Sequence, residues 1–123
     1  MNTKEKIIRE IIYIPEKMKS CETKSTIQCL KETGYTELNG EIGVSEIISA
    51  LKMNPKIINS WLMYSEDQRC DKGWYISDQE SQMEVGYYYR NGFESVKKYN
   101  DKIHACAEFI YHEFENLVRI AEL

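Results

Sequence analysis

The sequence predicts a mainly α protein of the α+β class: a helical domain with one β-hairpin inserted before a long C-terminal helix. Three observations predict this fold. Apolar residues recur at intervals of three and four over most of the chain, β-forming residues concentrate in residues 74–89, and a sustained apolar stripe fills the C-terminal segment. The length of 123 residues fits a single domain, residues 1–123, with one core.

Two helical stretches are predicted before residue 34. Four isoleucines between positions 7 and 12 share one helical face, and Pro15 is expected to stop this first helix. The second stretch runs from about Pro15 to Thr33, and the Ser/Thr-rich segment SCETKST can interrupt it. Gly34 is the expected C-cap because glycine adopts the left-handed conformation without strain.

Residues 44–64 predict two short helices joined by a tight turn. Ser45 can cap the first helix, and Asn54-Pro55 ends it and begins the second. Two short helices joined in this way are typical of a helix-turn-helix, whose second helix enters the major groove in DNA-binding families.

The segments WYI and MEVGYYY predict the two strands of the hairpin, with the polar SDQESQ between them. Strand alternation assigns Trp74 and Ile76 to one face and Tyr75 to the other, with Val85 and Tyr88 on opposite faces of the second strand. One face is expected to pack on helices. Tyr75 and Tyr88, on the other face, are the better candidates for contact with a partner.

The last segment, from about Phe93 to Glu122, predicts the long C-terminal helix. Its apolar residues follow one another at intervals of three or four. They are Val96, Tyr99, Ile103, Cys106, Ile110, Phe114, Leu117 and Ala121.

The chain carries no complete catalytic or metal-binding motif, so we expect neither enzyme activity nor a cofactor. The four cysteines include no CxxC pair and are expected to be buried, reduced thiols, with Cys70, in a polar loop, as the exception. His104, Glu108 and His112 recur every four residues, but the two histidines are two turns apart, so this strip is expected to be a solvated polar face. No phosphate-binding glycine loop and no nucleophile elbow is present.

Charge is distributed very unevenly. Residues 63–84 contain six carboxylates and two cations, so the formal net charge of −4 is assigned to this stretch. A local negative surface repels phosphate and attracts basic proteins.

The N-terminus has charges on both sides of a short apolar run and is neither a signal peptide nor a spanning helix, so a cytoplasmic protein with no membrane partner is expected.

One functional hypothesis is a winged helix-turn-helix regulator, with Lys56, Asn59 and Ser60 on the recognition helix and the hairpin as the wing. Electrostatics disfavour it. A DNA-reading helix brings several cations to phosphates, whereas this one offers only Lys56 and is followed by an acidic hairpin. We therefore expect no nucleic-acid partner, and the regulator remains the alternative.

The other hypothesis is an inhibitory binding protein. The segments WLMYSEDQR, GWYI and ACAEFIYHE, in a small acidic chain without catalytic groups, give the sequence a resemblance to bacterial immunity proteins, including those of contact-dependent growth inhibition. The resemblance implies a toxin inhibitor that binds a basic partner, a toxin domain such as a nuclease. The predicted partner-binding residues are the carboxylates and aromatic residues around the hairpin: Glu66, Asp67, Asp71, Trp74, Tyr75, Asp78, Glu80, Glu84 and Tyr88.

Overall fold

The computed structural model describes residues 3–20, 25–35, 41–67, 72–79, 82–89 and 92–121. Within these ranges the chain forms six helices and one three-stranded sheet. The helices are α1 (Thr3–Ile12), α2 (Ile14–Ser20), α3 (Thr26–Thr33), α4 (Val44–Met53), α5 (Ile57–Asp67) and α6 (Lys102–Ala121). The strands are β1 (Lys72–Gln79), β2 (Gln82–Tyr89) and β3 (Gly92–Tyr99). The predicted mainly α, α+β fold with a long C-terminal helix is confirmed.

The first three helices follow the sequence signals. The helix α1 ends at Ile12, before Pro15 as predicted, and Pro15 lies within the first turn of α2, where a residue without an N–H loses no helical hydrogen bond. The second stretch is indeed divided, because α3 begins anew with Ser25 as its N-cap, whose side-chain oxygen accepts from the N–H of Gln28. Gly34 ends α3 as predicted, with a φ of 88°.

The start of α4 differs from the prediction. Its N-cap is Gly43 rather than Ser45, and the Oε1 atom of Glu46 accepts a 3.1 Å hydrogen bond from the Gly43 N–H. The other carboxylate oxygen of Glu46 lies 2.7 Å from Nζ of Lys4 on α1. The hydrogen bond from Lys4, with a further contribution from Gly43, holds the pKa of Glu46 below its usual value. Through Glu46, the start of α4 is therefore linked to α1 by an ion pair.

Trp61 lies at the centre of the core. It is fully buried, and its indole N–H donates a 2.9 Å hydrogen bond to the carbonyl of Ile12. A side chain of α5 thus supplies a donor to one of the carbonyl groups that have no partner within α1 at its C-terminal end. The rings of Tyr64, Phe109 and Phe114 contact it edge-to-face, with centroids 5.2 to 6.0 Å away. The core thus joins α1, α5 and α6.

The sheet has a third strand that the sequence interpretation assigned to the final helix. β3 pairs with β2 in antiparallel register, and α6 begins only at Lys102. Ser95, at an irregularity in the pairing, has a φ of 54°, which a helix does not accommodate. Asp101, the residue before α6, caps this helix, since its Oδ1 accepts a 2.9 Å hydrogen bond from the N–H of Ile103. The helical spacing of Val96 with the later apolar residues was therefore coincidental.

The sheet has the order β1-β2-β3, and α6 contacts all three strands. The buried side chains of Ile76, Met83 and Val85 point toward the helices. On β1, α5 lies alongside the strand, and the hydroxyl of Ser65 accepts a 2.9 Å hydrogen bond from the N–H of Ile76. We call the side that packs on the helices the inner face and the opposite side the outer face. None of the helices in the described ranges is long and apolar enough to cross a membrane.

Candidate protein-binding surface

The two faces of the sheet divide the predicted aromatic residues as strand alternation requires. Trp74 lies on the inner face with Ile76 and is partly buried against the core, whereas Tyr75 lies on the outer face. In the register, Tyr88 pairs with Gly73 on one side and with Phe93 on the other, which places it on the outer face as well. The alternation predicted for these residues is confirmed.

Tyr75 lies across the outer face rather than projecting from it. Its register partner is Gly86, and a Cβ atom at that position would lie 2.8 Å from the Tyr75 hydroxyl and 3.0 Å from its Cε1 atom. The missing side chain lets the ring cover β2, and the hydroxyl then donates a 2.8 Å hydrogen bond to Oε2 of Glu84. Burial, and then the hydrogen bond to Glu84, raise the pKa of Tyr75, so the phenol remains a donor at neutral pH.

Phe93 completes an aromatic cluster on the outer face. Its ring centroid lies 5.5 Å from that of Tyr75 and 5.3 Å from that of Tyr88, and 64% of the residue is exposed. We call Tyr75, Tyr88 and Phe93 the aromatic platform. A large exposed phenylalanine held between two tyrosines is unusual on a solvated surface and is typical of a binding site.

Trp74 is not part of this platform. Its ring stacks on the imidazole of His112 on α6, with centroids 4.2 Å apart and an interplanar angle of 13°, and Tyr87 contacts it edge-to-face. Trp74 therefore packs β1 against α6. It also lines a small cleft of about 300 Å³ with His112 and Arg119.

The predicted polar strip of α6 also holds the sheet in place. Glu108 lies between the two histidines, with one carboxylate oxygen 3.4 Å from Nε2 of His104 and the other 3.4 Å from Nε2 of His112. The ring of Tyr99, at the end of β3, contacts His104 edge-to-face. The strip is partly exposed, as predicted. Its aromatic contacts with the two edge strands, β1 and β3, were not predicted. No group of three potential metal ligands is arranged for a metal ion among the residues that the structure describes.

The predicted carboxylates do not form one continuous patch. Glu84 lies on the outer face, whereas Asp78 lies on the inner side of β1 with its carboxylate 3.7 Å from Nζ of Lys102. Glu66 is exposed near the end of α5. Asp71 and Glu80 lie outside the described residues, and the side chain of Asp67 is also outside the description. Of the predicted residues, Tyr75, Glu84 and Tyr88 are brought together.

The outer face also carries a cation that the sequence interpretation did not consider. Lys98 on β3 is the register partner of Glu84 and is exposed, as is its neighbour Lys97. Because Lys98 is opposite Glu84 in the register, the negative charge of Glu84 is partly offset on this face. The aromatic platform, rather than the charge, is therefore its most distinctive feature.

The helix-turn-helix segment offers little to a nucleic acid. α4, the turn at residues 54–56 and α5 form as predicted, with Lys56 and Asn59 exposed. Ser60, however, is buried and donates a hydrogen bond to Oε1 of Glu16 on α2. The assignment of Ser60 to a recognition surface is wrong, since the side chain faces the helical core.

A second surface feature lies between α1 and α4. Two adjoining depressions of about 540 and 550 Å³ share Tyr13, Met53 and Asn54 in their walls. Met53 is 81% exposed, and the hydroxyl of Tyr13 donates a 2.7 Å hydrogen bond to Oδ1 of Asn54. The walls carry charges of both signs, among them Glu5, Arg9 and Lys56.

No family model matches this chain, and neither a curated protein nor a solved structure matches it.

Phe93 is the residue of the site that sequence reasoning missed. It was assigned to the start of the C-terminal helix and was not considered for binding. The signal that could have found it is Asn91-Gly92, a dipeptide typical of tight hairpin turns, placed between two runs of β-forming residues.

Proposed function

We propose that this chain is an immunity protein: a cytoplasmic inhibitor that binds a basic toxin domain, such as a nuclease, and covers its active site. The aromatic platform is the centre of the proposed interface, and Glu84 supplies charge at its edge. The single observation that carries the proposal is the exposed Phe93, fixed between Tyr75 and Tyr88 on a sheet face opposite the helices.

The platform is supported by a rigid base, which favours tight binding. Tyr75 is held by Glu84 and by its close packing over Gly86, and the sheet beneath it rests on α6 through buried side chains. Side chains that are already ordered lose little conformational entropy when a partner binds. Aromatic residues with such support are enriched among the residues that dominate interface energies.

Inhibition would then be physical occlusion and would require no chemistry from this chain. Nuclease active sites are basic because they hold phosphate, so an acidic protein with a net charge of −4 is attracted to them over a distance. The contribution of Glu84 is local, whereas Glu66 and Asp78 contribute to the long-range field from other sides of the molecule. Charge would set the rate of association, and the aromatic platform would set the rate of dissociation.

The proposal predicts that a neighbouring gene encodes a toxin domain, and the test is co-expression of that domain with this chain. The proposal predicts that cells survive the toxin only when this chain is present and that the two purified proteins form a stable complex with the toxin's activity suppressed. Survival without complex formation, or a complex in which the toxin remains active, would contradict direct occlusion.

A DNA-binding regulator is the second candidate, favoured by the arrangement of α4, a short turn and α5. Two observations reduce the support for a regulator. Ser60 is buried, and Lys56, just before α5, is the single cation that the second helix would bring to DNA phosphates, because α5 itself contains no Lys or Arg. Salt-sensitive, sequence-selective binding of a duplex from the neighbouring promoter at submicromolar protein would favour the regulator over the immunity protein.

A further inference from the structure

We propose that the outer face binds an arginine side chain of the partner, with the guanidinium stacked on the aromatic platform and hydrogen-bonded to the carboxylate of Glu84. This inference rests on the proposed function and specifies which chemistry the platform recognises. The site combines an exposed aromatic ring, Phe93, with a carboxylate that accepts a hydrogen bond from Tyr75.

The aromatic platform provides the stacking surface. Phe93 is tilted by 72° to Tyr75 and by 58° to Tyr88, so the exposed ring is bordered by two others that do not cover it. A cation above an aromatic face is attracted by the negative potential of the ring, and a planar guanidinium can also stack on it. An ammonium group gains only the first of these contributions.

Glu84 provides the directional contact. The hydroxyl of Tyr75 donates to Oε2, which orients the carboxylate beside the platform without neutralising it. Arginine presents several N–H donors in a fixed plane, so one guanidinium can stack on a ring and reach a carboxylate beside it. Such a pair selects arginine over lysine because the geometry, as well as the charge, must match.

Lys98 gives the proposal a sharp internal control. It is exposed and is the register partner of Glu84, so the proposal places its positive charge on the side of the sheet to which the guanidinium binds. Removing this cation should therefore strengthen arginine binding. A purely hydrophobic platform would show little response to the loss of Lys98.

The experiment uses two probe peptides, Ac-Gly-Arg-Gly-NH2 and Ac-Gly-Lys-Gly-NH2, titrated into the full-length ¹⁵N-labelled chain. We expect saturable amide shifts around Glu84, Tyr88 and Phe93, with the arginine peptide bound about fivefold more tightly than the lysine peptide. Equal affinity for both peptides, or shifts centred on α4, would overturn the inference.

Three variants and one control complete the test. Glu84→Gln keeps an acceptor for Tyr75 but removes the charge, so it should weaken binding of the arginine peptide and reduce the preference for arginine to what stacking alone provides; Phe93→Ala should abolish saturable binding. Lys98→Ala should strengthen binding, and Lys52→Ala, an exposed substitution on α4, should change nothing. Circular dichroism checks that each variant is folded. A Glu84→Gln protein that binds the arginine peptide as tightly, and prefers it as strongly, as the parent would refute the assignment of the carboxylate.

The two proposals can fail separately. If the toxin binds the outer face but the arginine peptide does not, the proposed function stands and the arginine inference falls. If the arginine peptide binds as expected and no toxin is inhibited, the arginine site stands and the proposed function falls.

Discussion

The hydroxyl of Tyr75 on β1 donates a 2.8 Å hydrogen bond to Glu84 on β2, and the ring between them lies over Gly86. This relationship converts a tyrosine that could project into solvent into a fixed part of the sheet surface. It also explains why Gly86 is buried although it lies on the outer face. The order of the aromatic platform therefore depends on a glycine that contacts no partner itself.

The first prediction concerns that glycine. Gly86→Ala places a methyl group within 3.0 Å of the Tyr75 ring, so the ring must shift away from Glu84 and Phe93. We expect a loss of about 1 kcal/mol in the free energy of unfolding, since a tyrosine ring can move, and a larger loss in affinity for the partner. Urea denaturation and calorimetric titration measure the two quantities.

Gly92→Ala is the matched control for this substitution. Gly92 lies in the same sheet, and its added Cβ would be 3.4 Å from the carbonyl oxygen of Tyr89, an almost ordinary contact. It should bind the partner nearly as the parent does. Equal losses of affinity in the two variants would show that the position of Tyr75 does not matter.

The second prediction separates the two tryptophans. Trp61 is fully buried and hydrogen-bonded to Ile12, so Trp61→Ala should cost about 3–5 kcal/mol, a large part of a small domain's stability. Trp74 is only partly buried, and Trp74→Ala should cost about 2 kcal/mol through loss of its stack on His112. Urea denaturation of both variants would contradict this ranking if Trp74→Ala were the more destabilising.

The third prediction concerns a buried carboxyl group. Glu113 is only 6% exposed and accepts a 2.8 Å hydrogen bond from the hydroxyl of Tyr64. Burial raises the pKa of Glu113, against the smaller opposite effect of Tyr64. The folded state therefore holds this proton more tightly than the unfolded state. Stability should fall as the pH rises from the unfolded value of about 4.3 through the folded pKa.

Glu113→Gln removes this titration while keeping an acceptor for Tyr64. Its stability should be less dependent on pH above about 4.3, and at neutral pH it should melt at a higher temperature than the parent. Glu10→Gln, an exposed change on α1, controls for the loss of one negative charge. Thermal melts between pH 4 and 8 make the comparison. A parent protein whose melting temperature rises steadily over that range relative to Glu113→Gln would contradict the sign.

The fourth prediction concerns the thiols. Cys29 and Cys106 are both buried, and burial raises the pKa of the Cys106 thiol, so little of Cys106 is present as reactive thiolate. In a Cys21→Ser/Cys70→Ser protein, both remaining thiols should react with a thiol reagent only as fast as the chain unfolds. Mass spectrometry follows the labelling. Rapid labelling of either cysteine under native conditions would show that the helical core opens locally.

Much of the fold could be predicted because its signals are local. The isoleucines of α1 and the glycine after α3 determine structure within a few residues of themselves, and alternation separates Trp74 from Tyr75. β3 was missed because Val96 matched the helical spacing by chance, while the positive φ of Ser95 has no sequence signature.

The site was only partly predictable for a related reason. Carboxylates close together in the sequence alternate between sheet faces, so Asp78 and Glu84 are separated although both belong to the acidic stretch. The contacts of Phe93 with Tyr75 and Tyr88 depend on the pairing of β3 with β2. Such long-range pairing is set by tertiary structure rather than by local pattern.

The most direct test of the central claim is calorimetric titration of the toxin domain that the proposal expects a neighbouring gene to encode into Phe93→Asp and Met53→Asp proteins. Both replace an exposed apolar side chain with a carboxylate, one on the outer face and one beside the α1–α4 depressions. The proposed interface predicts that Phe93→Asp weakens binding at least about 30-fold, or about 2 kcal/mol, while Met53→Asp binds like the parent. Parent affinity in Phe93→Asp, with loss of binding in Met53→Asp, would contradict it and assign the toxin to the α1–α4 surface.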